Sequence, residues 1–321
     1  MVYYEHLKET RQISMEQKKE FEIVRHTTMK HLEIFLVEMT SRSPHGHEDL
    51  EIGILLEGSL LLFTEQEQHR LRPGDIYVIT RYQVHSFHGT GEKNLILAFQ
   101  IKTDFYRKIN HQLGFLSLQS NIIRSGSLHN TLHRILLDCA DVYFSARPFN
   151  DVRCSALLLD AMYEILSAAH FSFSNEKESD AAKKNSRRLN RIMDYIAEHY
   201  SEHIALDDIA ALEHVSACHI SHFIKNMLGI SFQDYLNQVR FEQALRLADS
   251  SDLSILDICL ETGFSSSRYL NQMFLKNLGC TVKEYKKMPE KPPFILAALP
   301  TDSVQKRYSF EQSAFLFRKY R

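Results

Sequence analysis

Cys218, Ser221, His222 and Lys225 recur at intervals of three and four, the spacing that lines one side of a helix. All are small or polar, and none is acidic. Such a face suits the floor of a DNA groove, where polar groups meet base edges and cations meet phosphate. On the opposite side Ile220, Phe223, Ile224 and Met227 follow the same spacing and are expected to pack inward. No Asp or Glu occurs from His214 to Gln233, nor from Thr262 to Lys283. The acids of this half, Asp207, Asp208, Glu213, Asp257 and Glu261, fall on what read as supporting helices. Phosphate repels carboxylates, so a nearly neutral chain still binds DNA when its acids avoid the contact face. Lys183, Lys184, Arg187, Arg188 and Arg191, just upstream, are expected to meet backbone phosphate.

The elements that must hold this face read as two copies of one pattern. The first runs Leu206-Asp-Asp-Ile209-Ala210-Ala211, then Val215-Ser216, then Ile220 to Lys225, closing at Gly229. The second runs Ile255-Leu-Asp-Ile258-Cys259-Leu260, then Gly263-Phe264-Ser265, then Tyr269 to Phe274, closing at Gly279. Each is a short helix, a tight turn and a second helix. Two such units on one chain enter successive major grooves without a dimer partner. An accidental repeat in a plain helical bundle would not also carry two acid-free faces.

Residues 187–287 resemble the DNA-binding domain of the AraC/XylS family of bacterial transcription regulators. The matching text is Asp208-Ile209-Ala210, Gly229-Ile-Ser-Phe232 with Tyr235, Leu236, Arg240, Ala244 and Leu247, then Ile258, Gly263-Phe264-Ser265, Tyr269-Leu270, Phe274, Gly279 and Glu284-Tyr285. The resemblance implies seven helices in two subdomains joined by a long central helix at about 232–249. It places Cys218, Ser221, His222 and Lys225 on one reading helix and Ser267, Arg268, Asn271, Gln272 and Lys276 on the other. His222 and Gln272 stand where the family usually carries Arg; Val282 replaces a common Pro, and His214 a common Gly. Arg prefers guanine, whereas Asn and Gln pair with adenine, so the second half-site is expected to favour A·T opposite Asn271 and Gln272. The partners implied are double-stranded DNA and RNA polymerase, and the role is that of an activator.

The N-terminal half has a different period. Ile34–Met39, Ile52–Leu56, Leu60–Phe63, Ile76–Thr80, His85–His88 and Leu95–Ile101 read as strands. Ser43-Pro44, Glu57-Gly58, Arg72-Pro73-Gly74-Asp75 and Gly89-Thr-Gly91 read as breaks, which argues for a small barrel or sandwich. His45-Gly-His47, Glu51, Gly58, Pro73-Gly74-Asp75 and His85 resemble the two motifs of the cupin barrel, over roughly residues 25–102. In metal-binding cupins the residues matching His45, His47, Glu51 and His85 hold a divalent metal. Positions 45, 47 and 51 share parity, so on one continuous strand they face one way. Two uses stay open: a divalent metal site, or a ligand pocket that needs no cofactor, with Tyr77, Tyr82, Phe87 and Phe99 as aromatic walls.

The fold class expected is multidomain α+β, a cupin-like barrel with helices followed by an all-α double helix-turn-helix domain. The boundaries expected are 1–172 for sensing and dimerisation, 173–186 for a polar, aperiodic linker, 187–288 for DNA binding and 289–321 for a tail that is docked or disordered. Helices at 127–144 and 151–172 carry apolar stripes (Leu128, Leu132, Ile135, Leu136, Leu157, Leu158, Ile165) that suit a homodimer contact or packing on the barrel.

The whole chain sets limits. Its 321 residues allow two cores, and 38 basic against 40 acidic side chains give no bulk signal for nucleic acid. The five cysteines form no CxxC, none precedes Cys139, and reduced thiols in a cytoplasm are expected. No signal pattern and no apolar run of membrane-spanning length appears, so a soluble protein is expected. Three functions follow: a regulator answering a small-molecule effector, with a carbohydrate as leading class; a metal-dependent cupin enzyme with an appended DNA-binding domain; and a regulator controlled by a protein partner. No nucleophile–base motif, phosphate-binding loop or dinucleotide glycine pattern competes.

Overall fold

The computed structural model describes residues 29–64, 67–288 and 304–321. Its strands are β1 (Leu32–His45), β2 (Leu50–Glu57), β3 (Leu60–Thr64), β4 (Glu67–Leu71), β5 (Ile76–Ile79), β6 (His85–Gly89), β7 (Leu95–Ile101), β8 (Leu116–Leu118), β9 (Ile122–Ile123), β10 (Phe171–Phe173) and β11 (Val304–Arg307). The main sheet runs β4-β3-β6-β1-β7-β2-β5-β9, and β11 pairs with β1. Alternation of side chains gives this sheet two apolar faces. On β7, Ile96 and Ala98 join Phe35, Val37, Met39, Tyr77 and Phe87 inside the barrel. Leu95, Leu97, Phe99 and Ile101 point the other way, into a core shared with two helices.

Those helices are α2 (Gly126–Ser145) and α3 (Asn150–Ala168), which follow the short α1 (Thr103–Arg107). Leu132, Ile135, Leu136, Leu157, Leu158 and Ile165 are buried against the sheet, with Leu128 partly buried beside them. The stripes therefore pack on the barrel. Every expected strand is present, and β4 is an addition: Glu-Gln-His-Arg-Leu is exposed along most of its length, so no apolar alternation marks it. The break expected at Ser43-Pro44 does not occur. A shift of register against β6 between Arg42 and His45 takes up the proline, and β1 continues to His45.

The linker expected at 173–186 is mostly helical. Helix α4 (Glu176–His199) opens with a capping box in which Asn175 Oδ1 accepts from Glu178 N (2.9 Å) and Asn175 N donates to Glu178 Oε2 (2.9 Å). Its first turns are built of good helix formers with little apolar surface, which is why the segment reads as aperiodic. Six more helices follow: α5 (Leu206–Leu212), α6 (Ala217–Leu228), α7 (Phe232–Ser250), α8 (Ile255–Thr262), α9 (Ser267–Leu278) and α10 (Val282–Lys287). Helix α7 is the long central helix. Its Phe232, Tyr235, Leu236 and Val239 enter one core, and its Phe241, Ala244 and Ala248 enter a second.

The tail is docked where it is described. After the proline-bearing stretch 289–303, which lies outside the described residues, β11 and α11 (Phe310–Phe317) return to the barrel. Phe317 is buried in the core that α2 and α3 share with the sheet.

The two turns that set the helix-turn-helix geometry use left-handed residues, His214 (φ 54°) and Gly263 (φ 73°). Gly263 is also crowded: a Cβ there would lie 2.7 Å from Tyr200 O and 2.9 Å from Ser201 O. At Gly279 (φ 70°) the same Cβ would meet open space. Gly279→Ala is therefore expected to cost about 1 kcal/mol of left-handed strain. Gly263→Ala is expected to cost clearly more, measured as the difference between the two variants in urea unfolding.

Candidate DNA-reading faces and barrel pocket

Helices α6 and α9 are built alike. Ser216 Oγ accepts from His219 N (3.2 Å) at the start of α6, and Ser266 Oγ accepts from Tyr269 N (3.2 Å) at the start of α9. Gly229 and Gly279 end them in the left-handed conformation. Ile220, Phe223 and Ile224 are buried as expected, and Met227 is half-buried. Cys218, Ser221, His222 and Lys225 are exposed on α6, as are Ser267, Arg268, Gln272 and Lys276 on α9.

Asn271 differs. Half-buried, it donates through Nδ2 to Ser267 O (3.0 Å) and accepts through Oδ1 from Val282 N (3.0 Å). Its amide is committed to the protein, so of the two residues expected to favour adenine only Gln272 is exposed. The same bond explains Val282, because a proline there has no N–H to donate.

The basic run divides. Glu213 is buried between two arginines: Arg191 Nε reaches Oε1 (2.7 Å), Arg191 Nη2 reaches Oε2 (2.7 Å) and Arg188 Nε reaches Oε2 (3.1 Å). Burial alone would raise the Glu213 pKa, but the hydrogen bonds and charges of Arg191 and Arg188 outweigh it and hold the carboxyl below its ordinary range. Arg188 also lies 5.4 Å from the Phe223 ring centroid and 3.1 Å from His219 Nε2. These two arginines fasten α4 to α5 and α6, and Lys183 lies 6.0 Å from the Tyr82 ring. Lys184 and Arg187 remain exposed.

In the barrel, His45, His47 and His85 converge, with ligand atoms within 4.8 Å of one another. They do not sit on one strand with Glu51, because the chain turns between β1 and β2. His45 ends β1, His47 lies in the turn, Glu51 is on β2, and His85 opens β6 opposite His45. Each imidazole is held through Nδ1 by a backbone carbonyl: His45 by Ser43 (2.8 Å), His47 by Asp49 (2.9 Å) and His85 by Gln83 (3.1 Å). His47 Nε2 meets Glu51 Oε2 (3.2 Å), and Tyr77 Oη donates to Glu51 Oε1 (2.8 Å). Burial would raise the Glu51 pKa, but the bonds and charges of His47, His85 and Tyr77 bring it down to about 2. Burial, then the charges of His85 and Arg42, pushes the His45 pKa well below its ordinary value, so this imidazole is neutral.

Carbonyl-anchored imidazoles beside a carboxylate fit a divalent metal by donor chemistry. Against this, Arg42 Nε stands 3.4 Å from His45 Nε2, which places a cation on the lone pair a metal would use. A small cavity of about 30 Å³ adjoins the cluster, lined among others by Arg42, His45, Glu51, Tyr77 and Phe87. Two expected walls are absent. Phe99 points to the opposite face of the sheet, and Tyr82 occupies a left-handed turn (φ 60°) beside Arg81. Residues the sequence did not single out take their place: Phe35 and Gln100 from β1 and β7, and Gln305 and Arg307 from the tail. A glutamine at an inward position of an otherwise apolar strand was the one visible signal.

The turn between His45 and His47 touches the DNA-reading half directly. Gly46, between His45 and His47, donates to Asn190 Oδ1 (3.2 Å) and accepts from Asn190 Nδ2 (3.0 Å) on α4. A Cβ at Gly46 would lie 2.5 Å from Ser186 Oγ and 3.3 Å from Tyr82 O, so a larger residue there would have to push the Ser186 hydroxyl aside.

The family model of a helix-turn-helix domain matches residues 209–288, and that of a cupin domain matches residues 32–100. The chain thus carries an AraC-type helix-turn-helix domain, with a cupin domain at its N-terminal side. It is 23% identical over 240 residues to an uncharacterized HTH-type transcriptional regulator of Staphylococcus aureus (strain MRSA252), a match covering 74% of this chain and 31% of that protein. The chain thus spans about a third of the length of the first curated relatives it matches. It is 29% identical over 116 residues to the HTH-type transcriptional regulator YijO of Escherichia coli (strain K12), covering 35% of this chain and 41% of that one. Among solved structures, the C-terminal domain of the two-component response regulator yesN from Fusobacterium nucleatum is 30% identical, with a TM-score of 0.31, over 32% of this chain and 100% of that one.

Because the Glu213 pKa is depressed in the folded state, its stabilising effect is present above the ordinary carboxylate value and fades as pH falls through the folded one. Glu213→Gln is expected to cost about 1–3 kcal/mol at neutral pH. The deficit should shrink as pH drops below roughly 4.3, the ordinary Glu value. Urea unfolding across pH checks both.

Proposed function

We propose that the protein is a sequence-specific DNA-binding transcription regulator whose two reading helices answer to a small molecule in the cupin barrel. One observation carries the reading: α6 and α9 present matching exposed faces, similarly capped and free of acid. On α6, Ser221 and His222 meet base edges and Lys225 meets phosphate; on α9, Arg268 and Gln272 read bases and Lys276 meets phosphate. Regulation runs through the turn His45-Gly46-His47. A ligand that displaces it acts on Asn190 and so on α4, provided the ligand binds the two arrangements with different affinity. An activating role with RNA polymerase as partner, a homodimer and work in the cytoplasm follow from the resemblance, as does a carbohydrate as first candidate effector. No helix among the described residues is long and apolar enough to cross a membrane.

The three anchored imidazoles support a second reading, a cupin that holds a divalent metal through His45, His47, His85 and Glu51. The metal would supply Lewis acidity or an electrostatic hold on a ligand. Metal analysis after exhaustive dialysis separates the two: about one equivalent retained, and lost in His47→Ala, supports the metal reading.

Purified protein mixed with sheared genomic DNA at moderate and raised salt, followed by sequencing of what stays bound, tests the main reading. A few sharp sites are expected; diffuse binding erased by salt would sink it. At such a site Lys225→Ala should lower the salt slope by about one and weaken all sequences alike. Gln272→Ala should cost about 1–3 kcal/mol where the matched base is adenine and little elsewhere.

A further inference from the structure

The segment beyond the DNA-reading half comes back to the barrel as a strap. In β11, Gln305 lies opposite Met39 and Arg307 opposite Val37. Residues paired across strands point to one face, and Val37 and Met39 face the barrel interior. Gln305 and Arg307 therefore reach the cavity, and both line it. The strap is pinned beyond that point. Tyr308 N donates to Leu36 O (2.9 Å), Leu36 N donates to Ser313 Oγ (3.1 Å), Tyr320 Oη donates to Glu57 Oε1 (2.6 Å), and Phe317 is buried against α2.

Arg307 occupies a defined seat. Its guanidinium carbon lies 3.6 Å from the centroid of the Phe35 ring, and one of its nitrogens pairs with Glu33 Oε1. Glu33 is opposite Gln100 on β7, and Gln100 is opposite Glu51 on β2, so three polar side chains form a row across the inner face. Glu33 Oε2 and Gln100 Oε1 are buried and have no hydrogen-bond partner among the described residues. An aromatic face, a buried carboxylate and a spare amide oxygen make a site for a cation with several N–H donors. With Arg307 in place the cavity measures about 30 Å³, well under the roughly 300 Å³ of an ordinary ligand pocket, so little room is left beside it.

We propose that Arg307 is a built-in plug, and that the molecule the barrel takes is a small organic cation, an amine or a guanidine, which replaces Arg307 over Phe35 and Glu33 and frees the strap. This rests on the reading of the barrel as the effector site, and it redirects the effector class away from neutral sugars. The reason is electrostatic. Withdrawing Arg307 alone strands the nearly buried Glu33 carboxylate, so the strap opens when another cation takes its place. A sugar can donate to Glu33 and Gln100 but cannot neutralise the charge. Entry of the ligand and release of the strap are one exchange, so each favours the other.

Titration calorimetry with methylguanidinium chloride tests this on the full chain, wild type and variants, without DNA; a failure of the regulator reading would appear in DNA binding and not here. Arg307→Ala is expected to bind methylguanidinium at least tenfold more tightly than wild type, and Arg307→Lys a few-fold more tightly. Glu33→Gln added to Arg307→Ala should remove the gain. Equal affinity in wild type and both single variants would overturn the proposal, as would a gain that survives Glu33→Gln. Glucose binding to Arg307→Ala as tightly as methylguanidinium would overturn the assignment of a cation. Should Arg307→Ala fail to fold, Arg307→Lys, which keeps the charge but loses the planar fork, carries the comparison alone.

Discussion

The reciprocal hydrogen bonds between the Asn190 amide and the Gly46 backbone are the joint on which the rest of the molecule depends. An amide donates and accepts at once, so one side chain satisfies both backbone groups of a residue that would otherwise be buried in a tight turn. Around the joint, Leu61, Phe63 and Val84 of the barrel share a core with Leu189, Ile192, Met193 and Ile196 of α4. On the far side of the same helix, Arg188 and Arg191 grip Glu213 and fasten the first helix-turn-helix unit. Barrel turn, α4 and α5 are thereby joined by contacts that resist bending. His45 and His47 flank the residue that Asn190 holds.

The DNA-reading half works by segregation of charge. A chain of near-zero net charge gains no long-range pull on DNA, so its affinity must come from where the charges lie. Several acids of this half serve as helix caps or ion-pair partners. Asp257 caps α8 with Ser254, Glu284 caps α10 with Thr281, and Glu213 sits between arginines. Each cap contributes on the order of 1 kcal/mol and places negative charge at a helix start, where the dipole favours it. The reading helices take serine caps instead, which satisfy the backbone without presenting a carboxylate to phosphate.

Much of this was legible in the amino-acid order, and the limits have physical causes. Short apolar runs along β1, β2 and β7 mark the strands because both faces of that sheet are buried in distinct cores. The histidine cluster was found although the parity argument for it fails, since the chain turns between His45 and Glu51. Segment 176–186 was missed as helix because its first turns face solvent on most sides and carry no apolar stripe. The commitment of Asn271 depends on Val282, on the next helix, and the seating of Arg307 on Glu33 and Phe35, far back in the chain. Contacts of that kind leave no periodic trace. Residue type alone suggests Phe99 and Tyr82 as pocket walls; strand parity and a left-handed turn send them elsewhere.

The central claim is that α6 and α9 read DNA together as two arms of one chain. A hydroxyl-radical footprint of the full-length protein on one of its selected sites tests it most directly. The account predicts two protected stretches of backbone on one side of the duplex, with centres about 10–10.5 base pairs apart, for each bound chain. Lys225→Ala should weaken protection of one segment more than the other, and Lys276→Ala the reverse. A single protected segment, or two that vanish together with either substitution, would contradict it.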